Sequence, residues 1–290
     1  MTISQILNSN KLSISYELFP PKQGSAFEKV HQVSAEIAAL KPSYISVTCG
    51  AGGNGGTNTI EIVDYIQNQH STPALAHLTC IGAKKCETEN TLDKLKSLGI
   101  RNILALRGDL PSDIADVAND YRYASDLIEH IKRYGDFCVG GACYPEGHPE
   151  AKSLAADIES LKIKEAAGCS FLVSQMFFDN SIIYNFMYRM LSAGVHIPVV
   201  PGVMPVTNIA QITRICQMTG TVLPPRFRAI VEKFAHSPEA MKQAGIAYAT
   251  EQIIDLMANG FNNIHVYAMN KPDIATAISS NLSHITTLEV

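Results

Sequence analysis

The residues best placed to do chemistry stand at the ends of apolar runs. Glu17 lies in ISYELFPPK, flanked by Tyr16, Leu18 and Phe19, so its carboxyl enters an apolar setting. Burial of that kind raises a carboxyl pKa toward the range in which it can serve as a general acid at neutral pH. An edge strand with Glu17 facing water is the alternative. Arg107 and Asp109 tip a second run, NILALRGDLP, as either ligand-facing charges or a solvated turn. Two carboxylates at one site would suit proton donation with charge stabilisation, or a carboxylate-pair hydrolysis such as that of a glycosidase. The absence of any Trp for sugar stacking counts against the second.

His77 ends a third run, AHLTC, and with Cys80 it could begin a metal site that Asp109 or Glu17 completes. No second His or Cys pair stands at ligand spacing, so no metal is expected, and His77 reads as a hydrogen-bonding or core histidine. Gly50 to Gly56 contains a literal G-x-G-x-x-G, but the following strand ends in His77, Leu78 and Thr79 rather than in an acidic residue. The dinucleotide fingerprint is therefore incomplete, and without Gly-Lys-Ser/Thr there is no Walker loop. A glycine loop that lets a ligand approach the backbone closely remains. ACYPEGHPEAK sets Tyr144 and His148 before a helix expected over 151–167, with Pro149 in its first turn and free amides suited to an anion. Down that helix Asp157, Ser160 and Lys164 share one stripe, either as a ligand face or as an ordinary polar one. Gln175 can read a heterocycle edge with one donor and one acceptor, or be a satisfied amide of the mouth.

Positioning these residues requires strands. Eight are expected: Ile14 to Phe19, Tyr44 to Thr48, Ala74 to Thr79, Asn102 to Leu106, Phe137 to Ala142, Phe171 to Gln175, Pro198 to Val203 and Asn263 to Tyr267. Helical periodicity falls between them, near 25–39, 58–70, 85–98, 122–134, 151–167, 180–193, 207–219 and 272–283. Extra helical elements, Leu223 to Ala235 and Pro238 to Asn259, precede the last strand. Runs apolar at every position are buried on both faces, and repeated βα units close most economically as an α/β (β/α)8 TIM barrel. The strand tips Glu17, Thr48, His77, Arg107 with Asp109, Tyr144, Gln175, Met204 and Tyr267 then converge on one mouth, the catalytic face of that fold.

The 290 residues carry no Pro/Ser-rich linker, so a single domain over 1–290 is expected. With 23 basic and 27 acidic residues and no basic stripe, small-molecule chemistry is favoured over nucleic acid or an anionic membrane. Seven cysteines without a Cys-x-x-Cys pair, and an N-terminus without a signal-like segment, point to reduced thiols and a cytoplasmic protein. A homo-oligomer is also expected.

Taken in order and spacing, ISYELFPPK, SVTCGAGG, AHLTC, LALRGDLP, YASDL, YPEGHPEAK, SQMFFD and VVPGVMPV resemble the bacterial methylenetetrahydrofolate reductases. The resemblance spans nearly the whole chain. It implies a flavoprotein barrel that binds FAD and reduces 5,10-methylenetetrahydrofolate to 5-methyltetrahydrofolate with NADH or NADPH by a ping-pong mechanism, without a dinucleotide-binding domain. It implies the catalytic role of general acid for Glu17, protonating folate N10, and of cation stabilisation beside the flavin for Asp109. The implied FAD contacts are Thr48, Ala51, His77, Arg107, Gly108, Asp109, Tyr123, Ala124, Tyr144, His148, Ala151, Asp157, Ser160 and Lys164. Gln175, Gln211, Tyr267 and Lys271 are the implied folate-side contacts, Gln175 serving nicotinamide as well. Cys49, Ser160, Ile163, Ile215 and Lys271 depart from the enterobacterial pattern. An alternative is a folate-binding subunit fed by a redox partner protein.

Overall fold

The computed structural model describes residues 1–9, 11–21, 27–49, 55–108 and 120–288, the side chains of 55–57 excepted. The apolar runs become parallel strands: β1 Ser13–Leu18, β2 Ile45–Val47, β3 Ala74–Thr79, β4 Asn102–Leu106, β5 Cys138–Cys143, β6 Phe171–Ser174, β7 Val199–Val200, β8 Gly202–Val203 and β9 Asn263–Val266. Their order around the sheet is β7-β6-β5-β4-β3-β2-β1-β9-β8. Because β7 and β8 are consecutive pieces of one segment, this order closes a TIM-type barrel.

The expected seventh strand, Pro198 to Val203, is thus corrected to two short pieces broken at Pro201. Proline has no N–H for a ladder and interrupts it. Before the break, Leu172 N donates to Pro198 O at 2.8 Å; after it, His265 N donates to Pro201 O at 2.9 Å, so the two halves serve different neighbours. Gly202 makes the break possible, since a Cβ there would run into the Ser174 carbonyl oxygen and the Tyr267 ring. Gly202→Ala is expected to cost about 1–3 kcal/mol in a urea denaturation curve, because one of the two obstacles is backbone and cannot give way.

Helices α2 Phe27–Ala38, α3 Gly55–Asp64, α4 Lys85–Ser97, α5 Ala124–Tyr134, α6 Leu154–Ala166, α7 Asn180–Ser192, α8 Ile209–Thr219 and α11 Pro272–Asn281 follow the strands, with α9 Pro225–Phe234 and α10 Pro238–Ala258 inserted before β9. The main core lies between the sheet's outer face and this ring. Two local corrections have physical causes. A π-helical turn, Tyr65–Gln69, ends the helix expected over 58–70. Helix α6 begins only at Leu154, where the Ser153 side chain caps the Ala156 amide, so Pro149 lies in the loop and not in the first turn.

Patterning alone did not reveal α1 Ile3–Leu7, capped by Thr2. Its Ile3 and Ile6 pack with Leu75, Leu104, Cys138 and Phe171 of β3 to β6 and with Tyr44, just before β2. Asn102 holds it in place, its Oδ1 accepting the Ile3 amide at 2.9 Å. The bottom of the barrel is plugged, and the opposite end is left for chemistry.

Candidate active site

Side chains alternate along a strand, so β1 must choose which set faces the interior. Tyr16 points outward, donating to Ala275 O at 3.1 Å on α11. Ser13, Ser15 and Glu17 therefore face inward. On β9 the same parity turns Asn263, His265 and Tyr267 inward, and the register pairs Ser13 with Asn263 and Ser15 with His265. Ser13 Oγ donates to Asn263 Oδ1 at 2.6 Å. Ser15 Oγ donates to Ile264 O at 3.2 Å and lies 2.7 Å from His265 Nδ1. The other ring nitrogen of His265, Nε2, lies 3.2 Å from Ser46 Oγ, so both nitrogens are engaged and the imidazole is held between two hydroxyls.

Glu17 stands above this ladder, buried at 9% exposure. Its Oε2 lies 3.7 Å from His77 Nε2, a separation that would suit an ion pair. Burial acts against both charges and prevails. It pushes Glu17 up to about 8 and His77 down to about 3. At neutral pH the contact therefore joins a protonated carboxyl to a neutral imidazole. His77 Nε2 is buried and has no hydrogen-bond partner among the described residues. His265 is likewise held down to about 3, first by burial and then by His77. A carboxyl kept protonated at pH 7 among neutral groups can donate a proton to a basic atom brought into the mouth.

The residues singled out for a cofactor fall on the β2 to α6 side. Thr48 follows β2, its amide on Leu18 O at 2.9 Å. Gly108 follows β4 at φ +87°, where a Cβ would press on Ile81 and Thr79. Arg107 forms a fork with Glu150, at 2.6 and 2.5 Å, on the exposed rim. This fork holds the Glu150 carboxyl below its usual range. The Tyr144 and His148 rings meet edge-on at 4.6 Å. The His148 amide donates to Asp157 Oδ2 at 3.2 Å, and the Ala151 amide to His148 O at 2.9 Å. Lys164 Nζ donates to Ala142 O at 2.7 Å, and burial lowers its pKa. Ser160 Oγ turns back onto Asp157 O at 2.6 Å. Tyr123 is 51% exposed just before α5, and Ala124 is buried behind it. Ala51 and Asp109 lie outside the described residues.

The other candidates gather across the mouth. Gln175 Oε1 accepts the Met176 amide at 3.0 Å, which keeps the acceptor occupied and the amide NH2 as donor. Tyr267 OH reaches over to Ser174 O at 2.6 Å, bridging β9 to β6. Lys271 Nζ donates to Thr207 Oγ1 at 2.9 Å. Gln211 lines a cavity of about 10 Å³ with Met204, Thr207 and Met269. The barrel thus brings Glu17, His77 and Tyr267 into one buried electrostatic cluster, while Tyr123 stays at the periphery. Among the described residues no group of three or more His, Cys, Asp or Glu could hold a metal, and no helix is long and apolar enough to cross a membrane.

Sequence reasoning missed His265, Ser15 and Ser46. The signal was present, because His265 precedes Tyr267 by two in NIHVY and Ser15 precedes Glu17 by two in SISYE. A period of two places each pair on one face.

Comparison with known proteins bears on what this mouth does. The family model described as methylenetetrahydrofolate reductase matches residues 2–283. A 5,10-methylenetetrahydrofolate reductase of Pectobacterium carotovorum is 33% identical over 272 residues, covering 94% of this chain and 90% of that protein. Methylenetetrahydrofolate reductase (NADH) 1 of Arabidopsis thaliana is 33% identical over 98% of this chain, which spans 50% of the plant protein. Among solved structures, an uncharacterized Clostridium thermocellum protein that binds two copies of 5-methyl-5,6,7,8-tetrahydrofolic acid superposes with a TM-score of 0.67. At 13% identity over 98% of this chain and 100% of that one, it speaks for the fold alone.

Proposed function

This chain belongs to the methylenetetrahydrofolate reductase family, and on that premise we propose that it reduces 5,10-methylenetetrahydrofolate to 5-methyltetrahydrofolate, using FAD held in the mouth, against which a nicotinamide dinucleotide and the folate bind in turn. The observation that carries the reading is Glu17, a carboxyl protonated to about 8 at the end of β1. The substrate presents a ring nitrogen that must gain a proton before its methylene can accept hydride, and Glu17 supplies that proton from Oε1 or Oε2.

The residues present fit a flavin dinucleotide. Among the described residues His77 Nε2 is buried and unpartnered at the mouth, a site for a polar edge. Gly108 offers a backbone without a side chain in the way. Arg107, His148 and Lys164 would meet phosphate oxygens, and the buried Asp157 carboxylate would accept from a hydroxyl. The Arg107–Glu150 fork sits on the exposed rim, where such pairs are worth about 0–1 kcal/mol, so a phosphate can take Glu150's place at small cost. When bound, the flavin supplies hydride acceptance from the nicotinamide and hydride donation to the folate methylene.

The protein's own part is to orient and to move one proton. Tyr267 and Gln175 bound the folate side, the Gln175 NH2 serving as a donor; Lys271 and Gln211 extend that side along the rim. The neutral ladder of Ser15, Ser46 and His265 keeps counter-charges away from Glu17, which preserves its proton until the substrate arrives. Asp109 follows Arg107 and Gly108 in sequence and is assigned to the cation that forms on the substrate.

Anaerobic titration of the flavin-loaded protein with NADH or NADPH, and then with 5,10-methylenetetrahydrofolate, tests this reading. Bleaching by a nicotinamide and recolouring by methylenetetrahydrofolate are expected. A protein that takes up no FAD would sink it.

A further inference from the structure

The turn after β9 carries an unusual arrangement. Met269 and Asn270, neither of them glycine, stand in succession at φ +57° and +55°. Such conformations cost on the order of 1–3 kcal/mol each and persist only where surrounding contacts hold them. Asn tolerates this region better than most residues, because its short amide can bond locally.

What the amide of Asn270 bonds is the end of β1. Its Oδ1 accepts the Phe19 N–H at 2.8 Å, and its Nδ2 donates to the Phe19 carbonyl at 2.9 Å. One side chain thus fills both roles of a neighbouring strand's peptide. It does so where no strand is available: the register of β1 with β9 runs only to Tyr16 opposite Val266. On the other side of β1, Thr48 N donates to Leu18 O at 2.9 Å. Beyond Phe19 stand Pro20 and Pro21, which have no N–H to donate. On the β9 side Glu17 therefore lies between the last paired residue, Tyr16, and the clamped residue, Phe19, while on the other side β2 pairs as far as Leu18. The turn is itself anchored, with Lys271 N on Ala268 O at 3.1 Å and Lys271 Nζ on Thr207 Oγ1 at 2.9 Å.

We propose that Asn270 is a positioning residue for the Glu17 proton donor: its amide clamps Phe19 and so fixes where the carboxyl meets the substrate. This rests on the reductase reading above. Asn270 acts through the backbone of β1. The same turn carries Lys271 to the rim, so one strained element sets the proton donor and the folate-side loop together.

Three variants separate the clamp from the strain. Asn270→Ala loses both bonds and keeps the unfavourable φ. Asn270→Gly loses both bonds and relieves it. Asn270→Asp keeps the acceptor for Phe19 N but sets an oxygen against the Phe19 carbonyl. All three are expected to slow the folate half-reaction by about ten- to a hundredfold, while flavin reduction by the nicotinamide changes less than about twofold and the rate–pH midpoint of the folate step moves from its wild-type position. In the flavin-free protein the Phe19 amide should exchange its hydrogen faster in the Ala and Gly variants. Gly should melt higher than Ala yet be equally slow.

Unchanged Phe19 exchange, or a folate rate that tracks melting temperature, would overturn the proposal. So would equal losses in both half-reactions. If wild-type protein failed to reduce folate while Phe19 exchange still responded to the variants, the functional reading would fall and only the structural clamp would stand.

Discussion

Glu17→Gln is expected to slow the folate half-reaction by about 10²–10⁴-fold, the usual contribution of a positioned general acid. Flavin reduction by the nicotinamide should be nearly untouched, because that step needs no proton from Glu17. Stopped-flow absorbance of the flavin, followed separately in each direction, reads the two rates. The wild-type folate step should also fall as pH rises through about 8, where the buried carboxyl gives up its proton. The variant should have lost that limb. Equal losses in both half-reactions would contradict the assigned role.

The second large effect is on stability, and its sign follows from which state holds the proton. Glu17 titrates near its ordinary 4.5 when unfolded and at about 8 when folded. Its contribution is therefore complete below 4.5 and is lost as pH rises through 8, at about 1.4 kcal/mol per pH unit between the two. His77 and His265 run the other way, from 6.5 unfolded to about 3 folded. Their contribution is complete above 6.5 and is lost as pH falls toward 3. Below 6.5 the two histidines outweigh the single carboxyl, and above it only the carboxyl still titrates. These three groups place maximum stability near pH 6.5, with about 1 kcal/mol lost by pH 8. Glu17→Gln has no such alkaline limb, and at pH 8 it should exceed wild type by on the order of 2–5 kcal/mol. Urea midpoints measured over both limbs give the comparison; a variant that keeps the wild-type alkaline slope would show that Glu17 is not the group responsible. The residue to which the proton transfer is assigned is thus one whose burial is expected to destabilise the resting protein.

Much of this was legible without coordinates, and each success has a local cause. The run Ile103 to Leu106 is apolar at every position, which is the pattern of a strand covered on both sides, and it became β4 with Arg107 and Gly108 at its tip. The apolar neighbours Tyr16, Leu18 and Phe19 announced that Glu17 would be buried. The elements that escaped were those whose stability is not local. Helix α1 has five residues, too few to persist alone, and forms because Ile3 and Ile6 fill the barrel floor. The start of α6 moved from 151 to 154 because the Ser153 side chain caps it, overriding the preference of Pro149 for a first turn. Strand seven broke at Pro201 because closing the barrel asks its two halves to serve opposite neighbours.

By itself the sequence determined the order of βα units, the buried setting of Glu17 and the polar character of the mouth, since these follow from residue type and spacing along one segment. Tertiary structure alone decided that Glu17 meets His77, that His265 stands below it with Nδ1 on Ser15, and that Asn270, more than two hundred positions away, holds the end of its strand. Those contacts depend on the register and closure of a sheet, which depend on every strand at once. No single stretch of chain carries that information.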